Sequence, residues 1–174
     1  NALSNLSKIY ILDNDLIEAK SFANKVLNLD PSNAEALNSL GVVKSKENQE
    51  EKAKILFEKA ASKNPNFIDP LINLGMYFRQ KGDYLNAFRY YEKAMSIDTR
   101  NPNLLLNYGI ALTNVRYYKK ANYFYEKCIQ IDNKNYEAFY NYSLNLIRSK
   151  KFVKGWELYN KRWKAFPDIF KFLK

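Results

Sequence analysis

Apolar residues recur at helical spacing in pairs of segments, and a short polar stretch separates the two members of each pair. One pair runs from Ala34 to Lys46 and then onward from Ala53, with Glu47, Asn48 and Gln49 between the segments. The apolar positions in this pair are Ala36, Leu37, Leu40 and Val43, followed by Ala53, Leu56, Phe57 and Ala60. Steps of three and four residues place such side chains on one face of a helix. The pattern therefore predicts two helices joined by a tight turn.

This helix pair repeats every 34 residues along the chain, and five columns of equivalent positions keep their residue type. The columns are Gly41, Gly75 and Gly109; Ala19, Ala53, Ala87 and Ala121, with Gly155 next; Phe57, Tyr91, Tyr125 and Tyr159; Leu3, Leu37, Leu71, Leu105 and Phe139; and Leu6, Leu40, Leu74, Tyr108 and Tyr142. Several columns in one register predict a stack of equivalent helical hairpins.

Each column has a packing role that its residue type explains. We expect the glycine where the second helix crosses the first closely, with the alanine facing it from the second helix. Leucines and aromatic residues fill the remaining space and the contact with the next hairpin. Proline cannot continue a helix, so Pro31 and Pro65 close a repeat, while Pro70 and Pro102 fall near the start of a following helix.

This pattern resembles the tetratricopeptide repeat, with its 34-residue period and its Leu-Gly, Ala, Phe/Tyr, Ala and Pro positions. The resemblance implies an all-α fold, a right-handed superhelical solenoid of antiparallel helix hairpins. It covers residues 1–167 as five repeats, with 168–174 as an extension or the start of another element. The repeats are 1–33, 34–67, 68–101, 102–135 and 136–167.

Several positions depart from the family pattern. The closing proline is replaced by Thr99 and Asn133, and the packing glycine by Ser7 in the first repeat and Ser143 in the fifth. Terminal repeats are commonly atypical because one of their faces lacks a neighbour. Because the chain begins with Asn1 inside a repeat, we expect it to be part of a longer array.

Composition argues against catalysis. The chain contains no histidine, which removes the commonest general base and metal ligand, and one cysteine, which excludes an internal disulfide. It has no Gly-rich phosphate loop and no long apolar segment. We therefore expect no enzymatic activity, no cofactor and no metal. The absence of a visible signal peptide and the single cysteine favour a cytoplasmic location.

In tetratricopeptide proteins the first helices line a concave groove, and an asparagine column falls on that face here. Its members are Asn5, Asn73, Asn107 and Asn141, with Ser39 in the second repeat. An amide both donates and accepts hydrogen bonds, so such a ladder can grip a peptide backbone. The resemblance supports this, because the repeats of O-linked N-acetylglucosamine transferases use an asparagine ladder. Alternatively, the asparagines only bond neighbouring repeats, and both interpretations are open.

Two further groove columns argue against the carboxylate clamp with which some family members hold acidic chaperone tails. The paired lysine and asparagine that the clamp needs are absent, and most of these positions are apolar in the later repeats. The apolar groove positions are Ile72, Met76, Leu106, Ile110, Tyr140 and Leu144. They form either a ligand surface or a contact with the next helix.

The positive charge is concentrated in the later repeats. Of the net charge of +10, residues 102–174 contribute most, with 14 basic and 5 acidic residues. Three interpretations compete: a solvated surface, a surface for an acidic protein, or a surface for nucleic acid or an anionic membrane. Basic and aromatic residues alternate in 150–164, but the aromatics form one helical stripe, which is more often core than a base-stacking platform. Nucleic acid is therefore the minor alternative.

The last repeat carries a second resemblance. Gly155-Trp156, Tyr159 and Arg162-Trp163 look like the final repeat of bacterial arrays that precede glycosyltransferase domains. This implies a role in substrate presentation or docking to a catalytic domain of the parent chain. It makes Trp156, Arg162, Trp163 and Phe166 a candidate docking cluster, for that domain or for self-association.

Cys128 replaces a small alanine of the repeat, and we interpret it as an inert packed thiol. Taken together, the patterns predict a protein–protein interaction scaffold that binds an extended peptide or a partner helix in its groove. The alternative is the non-catalytic repeat region of a larger bacterial glycosyltransferase.

Overall fold

The computed structural model describes residues 2–161, and within them the apolar pattern forms ten helices and no strand. The helices are α1 (Ala2–Leu12), α2 (Leu16–Leu29), α3 (Ala34–Lys46), α4 (Glu50–Lys63), α5 (Ile68–Gln80), α6 (Tyr84–Met95), α7 (Pro102–Asn114), α8 (Tyr118–Ile131), α9 (Tyr136–Arg148) and α10 (Phe152–Tyr159). The prediction of an all-α fold of paired helices is confirmed.

The helices pack as hairpins within two units. The N-terminal unit, residues 1–97, contains the hairpins α1/α2, α3/α4 and α5/α6, and its first helices α1, α3 and α5 contact one another in sequence. The C-terminal unit, residues 98–174, contains α7/α8 and α9/α10, with α7 beside α9. The first helices of each unit therefore form one face, and the second helices pack behind them.

The glycine column is explained by a ring rather than by the alanine that the sequence predicted to face it. A Cβ at Gly41 would lie 2.5 Å from Cε1 of Phe57, and one at Gly109 would lie 2.6 Å from Cε1 of Tyr125. Both rings are buried, at 4% and 0% exposed. The aromatic column of the second helix thus fills the space over the glycine, and the alanine column is buried beside it.

The turn inside every described hairpin contains one residue in the left-handed backbone region. These residues are Asn14, Asn48, Gly82, Arg116 and Lys150, with φ between 59° and 78°, and they stand 34 residues apart. Glycine and asparagine adopt this conformation readily, whereas arginine and lysine pay a steric cost. The sequence analysis did not identify this column, because its members share a backbone conformation and no side-chain chemistry.

This turn column predicts two opposite effects. Arg116→Gly should raise the free energy of unfolding by about 1 kcal/mol, and Gly82→Ala should lower it by a similar amount. Arg116 is exposed and a Cβ at Gly82 would meet no atom within 4 Å, so both changes report on the backbone. Urea unfolding followed by circular dichroism measures both. Changes of the same sign in the two variants would contradict the assignment.

A second column explains how hairpins are joined where proline is missing. The side chains of Asp30, Asn64, Asp98 and Asp132 each accept the backbone N–H two residues later, at 2.8–3.2 Å. Asp98 and Asp132 precede Thr99 and Asn133, the positions where the closing proline is lost. This side-chain turn keeps the connection between hairpins without proline.

Candidate functional site

A pocket of about 200 Å³ lies between α3, α4 and α5 of the N-terminal unit. Val42, Ser45 and Lys46 of α3, Glu50 and Phe57 of α4, and Asn73, Met76, Tyr77 and Gln80 of α5 line it. Asn73 and Met76 were predicted as groove residues from the sequence. The structure thus brings one asparagine and one apolar member of the predicted groove into a common cavity.

The second hairpin has Phe57 at the position where the fourth hairpin has Tyr125. In the C-terminal unit the hydroxyl of Tyr125, the equivalent residue, lies 2.9 Å from Oγ1 of Thr113 on the first helix. Phe57 has no hydroxyl, and Ser45, at the position of Thr113, donates to Oε1 of Glu50 at 3.5 Å. The ring of Phe57 is therefore left as an apolar wall of the pocket.

Asn73 is tied to its neighbouring repeat by one hydrogen bond. Its Nδ2 donates to Oδ1 of Asn38 at 2.9 Å, and Asn38 is 6% exposed while Asn73 is partly buried. This bond uses one of the two N–H groups of the Asn73 amide. The second N–H and the carbonyl oxygen remain as a donor and an acceptor at the pocket.

The other members of the asparagine column differ from Asn73. Nδ2 of Asn107 donates to the Asn103 carbonyl at 2.9 Å, and Nδ2 of Asn141 donates to the Glu137 carbonyl at 3.0 Å, both within their own helices. Asn5 is exposed, and Ser39 is buried at 1% exposed. The column is therefore not a uniform ladder in the described structure, and a peptide-gripping role for it stays a prediction.

These partners predict that the asparagines differ in their effect on stability. Asn73→Ala should lower the free energy of unfolding by about 1–3 kcal/mol, because it leaves the buried amide of Asn38 without its donor. Asn107→Ala should change it by less than about 0.5 kcal/mol, because only a bond to its own exposed helix surface is lost. Thermal and urea unfolding of the two variants measures the contrast. If both variants lose the same free energy of unfolding, the hydrogen bond between Asn73 and Asn38 does not contribute the expected stability.

The predicted apolar groove residues divide into two groups. Ile72 and Leu106 are 5% and 7% exposed, so their side chains pack against neighbouring helices. The remaining four are partly exposed: Met76, Ile110, Tyr140 and Leu144. Of the six, Met76 lines the described pocket.

The charges near the start of α3 and α5 are mixed. Nζ of Lys8 lies 3.8 Å from Oε1 of Glu35 and 5.5 Å from the ring centroid of Phe67. The pKa of Asp69 is raised above its ordinary value, mainly because the carboxyl group is buried. The charge of Lys8 opposes this shift, and the charge of Glu35 adds to it. Opposite charges therefore balance here, which does not favour a strongly acidic or strongly basic ligand on this face.

Two aromatics of the predicted stripe are exposed, contrary to the core interpretation favoured by its spacing, while Tyr159 is partly buried with its ring centroid 5.9 Å from that of Tyr140. Phe152 and Trp156 are 52% and 53% exposed, and Gly155 is the one buried residue of α10. They occupy the positions of Tyr118 and Asn122, which are partly buried in α8 beside α9. No described helix follows α10 to cover the same face. Of the candidate docking cluster, Arg162, Trp163 and Phe166 lie outside the described residues.

Cys128 matches the packed thiol that the repeat predicted. It is 0% exposed, and its Sγ donates to the Pro102 carbonyl at 3.3 Å. Burial, together with the charges of Asp132 and Glu137, raises its pKa to about 12. The thiol is therefore protonated and unreactive at neutral pH.

Two negative findings apply to residues 2–161. These residues contain no group of three or more acidic or cysteine side chains placed to hold a metal ion. Among the same residues, every helix is too short or too polar to cross a bilayer.

Comparison with known proteins gives one family and several similar folds. The tetratricopeptide repeat model matches residues 1–33, 34–67 and 68–101. No curated protein is significantly similar to the chain. The solved structure of PilF from Pseudomonas aeruginosa is 22% identical with a TM-score of 0.80, over 92% of this chain and 73% of that one.

Two further solved structures have the same fold. TTC0263, a protein of Thermus thermophilus, is 15% identical with a TM-score of 0.80, over 95% of this chain and 91% of its own. YrrB, described as a tetratricopeptide protein with an unusual peptide-binding site, is 24% identical with a TM-score of 0.64, over 95% and 86%. The family match gives no support to the predicted association with glycosyltransferases.

Proposed function

The chain belongs to the tetratricopeptide repeat family, whose domains generally mediate protein–protein interactions, and from this we propose that the pocket on its N-terminal unit binds an extended peptide of a partner protein. The observation that carries the proposal is the pocket itself, where the walls of Val42, Phe57 and Met76 meet the amide of Asn73. We infer a non-catalytic role, in keeping with the scaffold proteins to which the chain is similar.

The size and lining of the pocket specify the kind of peptide. About 200 Å³ suits one side chain and is smaller than the cavities that hold drug-sized ligands. Apolar walls favour an aliphatic or aromatic anchor residue. The free N–H and carbonyl oxygen of Asn73 can then pair with the peptide backbone beside that anchor.

An extended peptide fits this site better than a partner helix. A docked helix presents anchors at steps of three and four residues and needs a groove that accepts several of them. The pocket has room for one side chain, and Ile72, a predicted groove residue on the same helix α5, is buried. YrrB, which shares the fold, is described as having a peptide-binding site, and this supports a peptide as the class of ligand.

Selection from a library of random peptides displayed on phage tests the proposal. Peptides enriched on the intact protein should share one large apolar residue, and fluorescence anisotropy gives their dissociation constants. Met76→Arg should weaken the selected peptide at least about tenfold, because a cation then fills the apolar pocket.

Leu85→Arg is the matched control. Leu85 lies on α6 of the same unit and is 72% exposed, so the substitution adds the same charge away from the pocket. It should leave the affinity unchanged. Equal affinities for the two variants, with both folded by circular dichroism, would reject the pocket as the binding site.

A further inference from the structure

The turns inside the hairpins change their charge along the chain. In register, the five six-residue turn segments are 13–18, 47–52, 81–86, 115–120 and 149–154. The first two carry Asp13, Asp15 and Glu18, then Glu47, Glu50, Glu51 and Lys52. The last two carry Arg116, Lys119 and Lys120, then Lys150, Lys151 and Lys154, with no acidic residue in either. Hairpin geometry is common to all five, so it does not explain this change.

The two basic turns lie close to each other in the C-terminal unit. Arg148, at the end of α9, has its Cζ 6.0 Å from the ring centroid of Tyr118, at the start of α8. Segments 115–120 and 149–154 are therefore neighbours, and we call them together the basic turn edge. A shallow depression of about 500 Å³, lined by residues 116–120, lies within it.

The cations of the basic turn edge are accessible to solvent. Arg116, Lys119, Lys120, Lys150 and Lys151 are all exposed. Lys154 is exposed as well but is paired, because its Nζ lies 3.6 Å from Glu126 and donates to the Tyr142 hydroxyl at 3.2 Å. Nζ of Lys120 lies 5.9 Å from the ring centroid of Tyr108. Five cations on two adjacent turns thus form a surface that attracts anions.

Apolar side chains protrude among these cations. Val153 is 88% exposed, Tyr117 is 64% exposed and Phe152 is 52% exposed. A membrane interface accepts this combination, since aliphatic and aromatic side chains enter the headgroup region while lysines meet anionic lipids. Single-stranded nucleic acid stacks its bases on aromatic faces, and Tyr117 and Phe152 offer two of them. Val153, the most exposed of the three, offers none, and Arg148 lies over the ring of Tyr118, so a membrane is the better fit.

We propose that the basic turn edge docks the protein on the surface of an anionic lipid membrane. The cations contact the lipid headgroups, and Val153, Tyr117 and Phe152 insert at the interface. This is peripheral binding, compatible with the finding that the described helices include none able to cross a bilayer. It uses a different unit from the peptide pocket and does not depend on the proposed peptide ligand.

Co-sedimentation of the full chain with lipid vesicles tests the proposal. The protein should sediment with phosphatidylcholine vesicles that contain about one third phosphatidylserine, and not with phosphatidylcholine alone. The variant with Lys119, Lys120, Lys150 and Lys151 changed to Glu should lose at least about a hundredfold in partition coefficient. Val153→Asn should reduce the fraction bound that persists at high salt, because that fraction depends on apolar insertion.

A charge-matched control separates this surface from the net charge of the protein. Lys25, Lys52, Lys59 and Lys93 are exposed residues of the N-terminal unit, and changing all four to Glu gives the same net charge. This control should keep vesicle binding within about threefold of the wild type. Circular dichroism of both variants confirms that they are folded.

Three results would overturn the proposal. The first is no sedimentation of the wild type with anionic vesicles. The second is an equal loss of binding in the two charge-reversed variants. The third is binding to a single-stranded RNA oligonucleotide without vesicle binding, which would assign the edge to nucleic acid instead.

Discussion

Replacing Gly109 with Ala is expected to lower the free energy of unfolding by about 1–3 kcal/mol, although alanine is the better helix former by about 1 kcal/mol. The new Cβ would lie 2.6 Å from Cε1 of Tyr125, well inside contact distance. The ring has no room to move, because Tyr125 is 0% exposed and its hydroxyl is hydrogen-bonded to Thr113 at 2.9 Å. Overpacking therefore outweighs the gain in helix propensity.

A double-mutant cycle isolates this contact. In a Tyr125→Leu background, where the ring is absent, Gly109→Ala should be neutral or stabilising. Urea unfolding monitored by circular dichroism gives the four free energies. If Gly109→Ala costs the same with and without the ring, the glycine column has another explanation.

Asn145→Ala is expected to cost about 1–3 kcal/mol, because it breaks a buried polar network. Asn145 is 0% exposed, and its Nδ2 donates to Oγ1 of Thr113 at 2.9 Å. Its Oδ1 accepts from Arg148 at 3.4 Å. The network joins α9 to α7 and, through the Thr113 hydroxyl, to Tyr125 of α8. Without Asn145, the Thr113 hydroxyl and the Arg148 guanidinium lose a shared partner.

Asn114→Ala is the control for this prediction. Asn114 is exposed in the last turn of α7 in the same unit, so its replacement should change stability by less than about 0.5 kcal/mol. Hydrogen exchange should show faster opening of α7 and α9 in the Asn145 variant and not in the control. Equal stability of the two variants would mean that the network contributes nothing.

The sequence predicted the helices well because their signal is periodic. Helix α3 spans Ala34–Lys46, the range that the apolar spacing indicated, and the turn at Glu47–Gln49 follows it. Five repeats in register made this inference stronger than any one segment could. The left-handed turn column was missed because Asn48, Gly82 and Arg116 look unrelated as side chains.

The contacts of single polar residues were less predictable than the helices. Asn145 stands in a column that holds Val43, Tyr77 and Ala111 in other repeats, so nothing in the repeat pattern indicated a hydrogen-bonded network. The asparagines of the groove column share a position, yet Asn73 bonds Asn38 while Asn107 bonds its own helix. Whether an asparagine of this column finds a partner depends on the residue that the neighbouring repeat places opposite it. A column compares equivalent positions of the repeats, so it does not show which residue lies opposite.

The candidate site was also predictable only in part. Asn73 and Met76 were identified from their register on the first helix. The pocket between them depends on Phe57 of α4 and on the side chains of Ser45 and Gln80, which the groove columns did not include. The pocket exists where side chains of three helices meet, so the sequence columns of a single helix did not indicate its place.

The most direct test of the peptide-binding claim is an NMR titration of the side-chain amides with a peptide selected on the intact protein. Binding at the pocket should shift the Asn73 side-chain amide and the Met76 methyl signal. The amides of Asn24 and Asn28, exposed on α2 away from the pocket lining, should stay unchanged. Shifts at Asn24 or Asn28 with none at Asn73 and Met76 would contradict the account.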